Sequence, residues 1–88
     1  MANKRTLKRA IRGICEELFS EAVAVSMYGP KSIRSNAEAL LFTIVRLEEN
    51  YIGRISHPEP GMDPQLYFKD LREKFSAEVY EIVDQLNG

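Results

Sequence analysis

Few residues in this chain have side chains that could carry out chemistry, and their spacing decides what that chemistry would be. Cys15 and His57 are the only cysteine and the only histidine. A structural zinc site takes about four ligands of this kind, so the pair does not make one. His57 lies near Glu59 in a proline-rich stretch, where an imidazole could act as a general base. No nucleophile with a base and an orienting partner can be assembled around it, so we predict no catalytic, metal or cofactor site.

Two charged residues interrupt the apolar sides of predicted helices. Glu48 lies on the apolar side of the second predicted helix, and Arg72 lies on that of the third. Folding the chain back between these helices brings position 48 to about the height of position 71. Because arginine can meet a carboxylate with two hydrogen bonds, we predict a partly buried Glu48–Arg72 ion pair that fixes the register of the core. The alternative is a polar pocket around these two residues that binds a small ligand.

A second charged feature lies near the beginning of the chain. At about 100° per residue, four basic side chains fall on one side of the first helix, opposite its apolar stripe. We name them the basic ridge: Arg5, Lys8, Arg9 and Arg12. An up-down-up bundle would place this ridge near Glu48, Glu49 and Glu59, which would compensate its charge. The alternative is a nucleic-acid-binding regulator that contacts phosphates through the ridge, although a net charge of −1 does not itself indicate such a partner.

The elements that must position these residues are helices. Apolar residues recur every three or four positions over three long segments, which is the period of an α-helix with one buried side. The spacing predicts helices over about residues 3–28, 36–56 and 64–87. Because the segments are similar in length and their connections are short, we expect antiparallel neighbours. We therefore predict an all-α fold, a single domain over residues 1–88 with three long helices in an up-down-up antiparallel bundle.

Local signals mark the ends of these helices. Asn3 can cap the first helix, and Gly29-Pro30 ends it, because glycine tolerates a left-handed conformation and proline cannot continue the hydrogen bonds. The stretch Ser35–Glu38 resembles a capping box at the start of the second helix. Asp63-Pro64 suits the N-cap and first position of the third. The four tyrosines are expected at the edges of the bundle with their hydroxyls toward water.

Composition places limits on the class of protein. With 44% hydrophobic and 28% charged residues, the 88-residue chain is typical of a globular protein with a thin core. One cysteine excludes an intrachain disulfide. The longest apolar run, Ala39 to Val45, is too short to cross a bilayer, and no signal peptide is recognisable. We expect a cytoplasmic protein that does not engage a membrane.

Apolar residues outside the main stripes indicate a further buried surface. Phe19 and Val23 lie off the stripe of the first helix, and Ala39 and Phe42 lie off that of the second at a similar height. Three helices need only one buried seam each, so we expect a second copy or another protein to cover this surface. The sequence therefore favours a non-enzymatic helical protein–protein interaction module that forms a homodimer, which would complete the bundle.

Two stretches also carry a resemblance. These are Leu7–Phe19 (LKRAIRGICEELF) and the run Ser56–Met62 (SHPEPGM) followed by Tyr67–Leu71 (YFKDL). Over nearly its full length the chain resembles a group of short uncharacterised all-helical proteins of anaerobic gut bacteria. The resemblance implies a helical fold and a bacterial cytoplasmic setting, and it implies no functional residue.

Overall fold

The computed structural model describes residues 4–87, so the expected N-cap Asn3 lies outside the described residues. Within this range the chain forms three helices and no strand. They are α1 (Lys4–Tyr28), α2 (Lys31–Ser56) and α3 (Pro64–Leu86).

At Gly29, directly after α1, the backbone lies so close to the preceding helical turn that no side chain would fit. The Gly29 N–H donates to the Val25 carbonyl oxygen at 2.9 Å. A Cβ atom built on Gly29 would lie only 2.5 Å from the same oxygen. Among the described residues only Gly61 has a positive φ, 84°, so the expected left-handed conformation at Gly29 is wrong. Glycine ends α1 because it leaves room for the Val25 carbonyl.

The second helix begins at Lys31, five residues before its predicted start at position 36. Pro30 is its N-cap in an extended conformation, with φ −57° and ψ 146°, and no side chain caps it. The Ile33 N–H donates to the Pro30 carbonyl at 3.0 Å, so the helical hydrogen bonds start there. The predicted capping box at Ser35–Glu38 is wrong, because these residues already lie inside the helix.

The start of the third helix is confirmed. Asp63 is the N-cap, and its Oδ1 accepts a hydrogen bond from the Gln65 N–H at 3.1 Å. Proline follows at the first helical position, where no N–H is needed. The Tyr67 hydroxyl donates to the backbone carbonyl of Arg54 in α2 at 3.0 Å, which ties the beginning of α3 to the end of α2.

The core runs along the long axis of a molecule that measures 48 × 18 × 18 Å. The α1 and α2 helices pack closely together, and α3 packs less closely, mainly on α2. Since the chain reverses at both connections, the predicted all-α bundle is confirmed. The buried residues are Ile11, Cys15, Leu18, Ala22, Ala37, Leu40, Ile44, Leu47, Tyr51, Ile55, Leu71, Phe75, Ile82 and Leu86.

One tyrosine departs from the expected edge position. Tyr51 is only 2% exposed, and its ring meets that of Phe75 edge-on with centroids 5.2 Å apart. Tyr28 and Tyr80 are exposed as expected. The stripe on α2 is therefore wide enough to bury a full aromatic ring at its centre.

Candidate interaction surface

A shallow groove of about 360 Å³ runs between α1 and α2. Phe19 of α1 lines it together with Val45 and Glu48 of α2. A different groove runs between α2 and α3, and Thr43 and Asn50 of α2 line it. These two residues lie on the opposite flank of the buried stripe of α2. The first groove therefore opens on the side of the α1–α2 pair that lies away from α3. We name this side the outer face.

The outer face is apolar near the middle of its length. Phe19 is 38% exposed, Val45 is 42% exposed and Phe42 is 76% exposed. Phe19 and Val45 share the groove, and Phe42 lies about one turn from Val45 on the same helix. We name these three exposed side chains the apolar patch: Phe19, Phe42 and Val45.

The other residues of the predicted self-association surface flank this patch. Val23 is half-buried one turn after Phe19, and Ala39 is exposed one turn before Phe42. The sequence does not single out Val45, because it recurs at helical spacing with the apolar stripe of α2. Its position at the edge of that stripe, more than about 90° from the centre, was the signal that could have identified it as exposed.

The basic ridge lies at the opposite end of α1. Arg5, Arg9 and Arg12 are exposed and line a concave surface that also includes Glu16. Lys8 is half-buried and does not line it. Three guanidinium groups therefore share one accessible surface at the end of the bundle away from the α1–α2 turn.

The expected neutralisation of this ridge within the chain is wrong. Between residues 4 and 87, the one ion pair joins Asp70 and Lys74 on the surface of α3 at 3.1 Å. Glu48, Glu49 and Glu59 make no ion pair with the ridge. The reason is that α1 and α2 meet through apolar rows, so charged side chains on their outer flanks point to solvent instead of to each other.

The predicted Glu48–Arg72 ion pair is also wrong. Glu48 is half-buried and lines the groove with α1, whereas Arg72 on α3 is exposed. No charged residue is buried in the described part of the chain. Periodicity gives the height of each residue, but Glu48 lies in the groove with α1 whereas Arg72 is exposed to solvent. Arg72 does not line the groove that contains Glu48, and a small-ligand site around the two residues stays a prediction.

Cys15 forms the buried floor of the groove on the outer face, as its position on the apolar stripe predicts. Burial, reinforced by the negative charge of Glu48, raises the pKa of the Cys15 thiol to about 11. The thiolate is the reactive form of cysteine. Cys15 therefore stays a neutral packing residue near neutral pH.

The groove between α2 and α3, of about 530 Å³, has a polar contact at one side. The Tyr51 hydroxyl donates a hydrogen bond to the carboxylate of Glu78, and the Arg54 guanidinium lies 5.2 Å from the centre of the Tyr51 ring. Burial and the bond to Glu78 raise the pKa of Tyr51 to about 12. Tyr51 is thus held as a neutral hydrogen-bond donor that links the two helices.

Another concave surface lies at the loop between α2 and α3. Both His57 and Glu59 are exposed and line it, together with Tyr67 and Lys74. Over the described residues no group of three or more His, Cys, Asp or Glu side chains is arranged to hold a metal ion. This end of the molecule therefore offers polar side chains to solvent around a proline-rich turn.

Comparison with protein-family models, with curated proteins and with solved structures found no match to this chain. None of the three helices, over the residues described, combines the length and the hydropathy that crossing a membrane requires. The surfaces of the molecule are thus the basis on which a function can be assigned.

Proposed function

We propose that this protein is a non-enzymatic helical interaction module that self-associates through the outer face of its α1–α2 pair. The observation that carries the proposal is the apolar patch, in which Phe19, Phe42 and Val45 are all at least 38% exposed. Contiguous exposed apolar side chains on a small domain mark an interaction site, whereas single ones do not.

The energetics favour a broad contact over a contact limited to the patch. Burying a large apolar side chain contributes about 1.5–3 kcal/mol. Association costs roughly 4–15 kcal/mol in lost translational and rotational freedom. Three partly exposed side chains only offset the lower end of this range. The proposed interface therefore extends beyond the patch along the outer face.

The placement of α3 supports the choice of face. This helix covers the α1–α2 pair from one side and leaves the outer face without a covering element. Two hydrophobic residues at its edge, Leu41 and Val23, are half-buried, so a second molecule would complete their burial. The partner that this surface fits best is another copy, because it is present at the same concentration and an isologous contact needs only one surface.

The test is the mass of the wild-type protein and of a matched pair of variants by light scattering after size exclusion. The chain has a mass of 10.1 kDa, and we expect a species of about twice that mass at high protein concentration. Phe42→Asp should move the equilibrium to the monomer. The control is Tyr80→Asp, which changes an equally exposed aromatic on α3 and should leave the mass unchanged. A wild-type protein that stays monomeric at millimolar concentration would contradict the proposal.

A further inference from the structure

Three arginines of the basic ridge share a concave surface of about 380 Å³ near the beginning of α1. Arg5, Arg9 and Arg12 are all exposed, and Gly13 and Glu16 complete its lining. Over the part of the chain that the structure describes, the one ion pair lies on α3. Like charges three or four positions apart on a helix repel each other. This surface therefore concentrates positive charge that the chain does not pair with carboxylates.

Acidic residues lie toward one end of this surface. Glu16 is the first acid of α1, and it also lines the groove on the outer face together with Glu48. Beyond that groove α2 continues antiparallel to α1, and its residues 51–56 contain no acid. Glu59, in the loop after α2, lines a different concave surface. The positive charge is therefore least opposed at the end of the surface away from Glu16.

Gly13 leaves this surface open beside the arginines. It follows Arg9 by four residues and Arg12 by one, so it lies next to both on the helix. Glycine inside a helix is unfavourable. Packing does not require it here, because a Cβ atom at Gly13 would meet nothing within 4 Å. A ligand that approaches Arg9 and Arg12 can therefore reach the helix without a side chain in its way.

The spacing of the arginines matches a row of phosphates. At about 1.5 Å per residue, Arg5 and Arg12 are roughly 10 Å apart along α1. A strand of a nucleic-acid duplex presents a phosphate about every 3.4 Å along the axis, so roughly three phosphates lie within this length. Arginine suits such a ligand because its planar guanidinium can donate two parallel hydrogen bonds to phosphate oxygens.

We infer that this surface binds the phosphate backbone of a nucleic-acid duplex. Among the described residues that line it none is aromatic, whereas proteins that hold single strands stack bases on aromatic rings. Contacts to the backbone carry no sequence information, so the binding is independent of sequence. The inference goes beyond the proposed function and does not depend on it, because the apolar patch is a separate surface.

The test is the dissociation constant of a fluorescent mixed-sequence duplex, prepared once as DNA and once as RNA, at several salt concentrations. Because the net charge of the chain is −1, attraction depends on this local surface, and the measurement starts at low salt. Three phosphate contacts give a slope of about −2.7 when the logarithm of the association constant is plotted against that of salt. The dissociation constant should therefore rise about fortyfold between about 50 and 200 mM salt.

Two pairs of substitutions locate the site. Arg9→Ala with Arg12→Ala removes two of the three contacts, so the slope should fall to about −0.9. The matched control, Arg46→Ala with Arg72→Ala, removes two exposed arginines of α2 and α3, changes the net charge equally and should keep the slope. Glu16→Gln removes the carboxylate that opposes the phosphates and should lower the dissociation constant roughly twofold or more. Circular dichroism verifies that each variant is folded.

Binding to either duplex with a slope that only the Arg9 and Arg12 substitutions reduce supports the inference. A wild type that does not bind at about 50 mM salt overturns it. Equal weakening by both arginine pairs also overturns it, because overall charge would then be the cause. So does tighter binding of a single strand, or full displacement by adenosine triphosphate at an equal phosphate concentration. Self-association is measured without nucleic acid, so a failure here leaves the proposed function standing.

Discussion

Tyr51 joins two helices through two different kinds of contact. Its buried ring packs edge-on against Phe75, and its hydroxyl donates to Glu78, so both contacts attach α2 to α3. Because α3 packs less closely than the other two helices, each specific contact it makes matters more for its position. A tyrosine satisfies both needs here because it has a large apolar body and one polar end.

Replacing Tyr51 by phenylalanine keeps the ring and removes only the hydrogen bond. Bonds to charged groups contribute about 1.5–3 kcal/mol, and the exposed Glu78 can recover water, so we expect a loss of about 1 kcal/mol in the free energy of unfolding. Urea denaturation at neutral pH measures it. The control is Tyr67→Phe, whose hydroxyl bonds an exposed carbonyl and whose removal should cost less. An unchanged stability for Tyr51→Phe would mean that the bond to Glu78 is not stabilising.

The raised pKa values of Tyr51 and Cys15 predict how stability changes in alkali. Folding raises the pKa of Cys15 from 9.0 to about 11 and that of Tyr51 from 10.0 to about 12. Within these windows the folded chain holds protons that the unfolded chain has lost, so stability must fall as pH rises. Each group contributes its full stabilisation below its unfolded pKa, which is 9.0 for Cys15 and 10.0 for Tyr51. This stabilisation is lost as the pH rises through the folded pKa, about 11 for Cys15 and about 12 for Tyr51.

Urea denaturation from pH 8 to pH 12 checks this sign. The wild type should lose stability over the interval, and Tyr51→Phe should lose less between pH 10 and 12 because phenylalanine does not ionise. Cys15→Ala should lose less between pH 9 and 11 for the same reason. Parallel pH profiles for the wild type and both variants would show that neither group is linked to folding.

The three helices could be predicted because their apolar stripes are local properties of the sequence. The Asp63 cap could also be predicted, because its hydrogen bond reaches only two residues along the chain. The start of α2 could not be predicted. The stretch Ser35–Glu38 has the sequence of a capping box, but the helix extends back to Lys31 with Pro30 as its N-cap. The flank of α2 on which Glu48 lies was equally hidden. The handedness of the bundle determines which neighbouring helix each flank of α2 contacts. Tertiary packing sets this handedness, so local sequence patterns do not reveal it.

Gly13 inside α1 and Gly29 directly after it have opposite roles, and alanine should distinguish them. A Cβ at Gly29 would lie 2.5 Å from a backbone oxygen, whereas one at Gly13 has no atom within 4 Å. Gly29→Ala should therefore destabilise the protein by about 1–3 kcal/mol, as overpacking does. Gly13→Ala should stabilise it by about 0.5–1 kcal/mol, because glycine is a poor helix former. Thermal denaturation of both variants measures the difference, and a stable Gly29→Ala would refute the steric explanation for the end of α1.

The whole molecule is an α1–α2 pair covered on one side only. A domain of this size buries only about 60–65% of its unfolded surface. If two copies associate through the uncovered outer face, as proposed, that association would add to the stability of the fold. A second copy that binds only the folded chain raises the melting temperature of that chain, and the increase grows with the logarithm of the protein concentration. Folding and the proposed self-association would therefore be coupled.

This coupling predicts a melting temperature that depends on protein concentration. If the apolar patch joins two folded copies, a concentrated sample should melt at a higher temperature than a dilute one. Phe42→Asp should remove this difference, whereas Tyr80→Asp, which changes an exposed aromatic on α3, should keep it. Thermal denaturation at widely different protein concentrations measures the difference. A wild-type melting temperature that does not change with protein concentration would contradict the coupling.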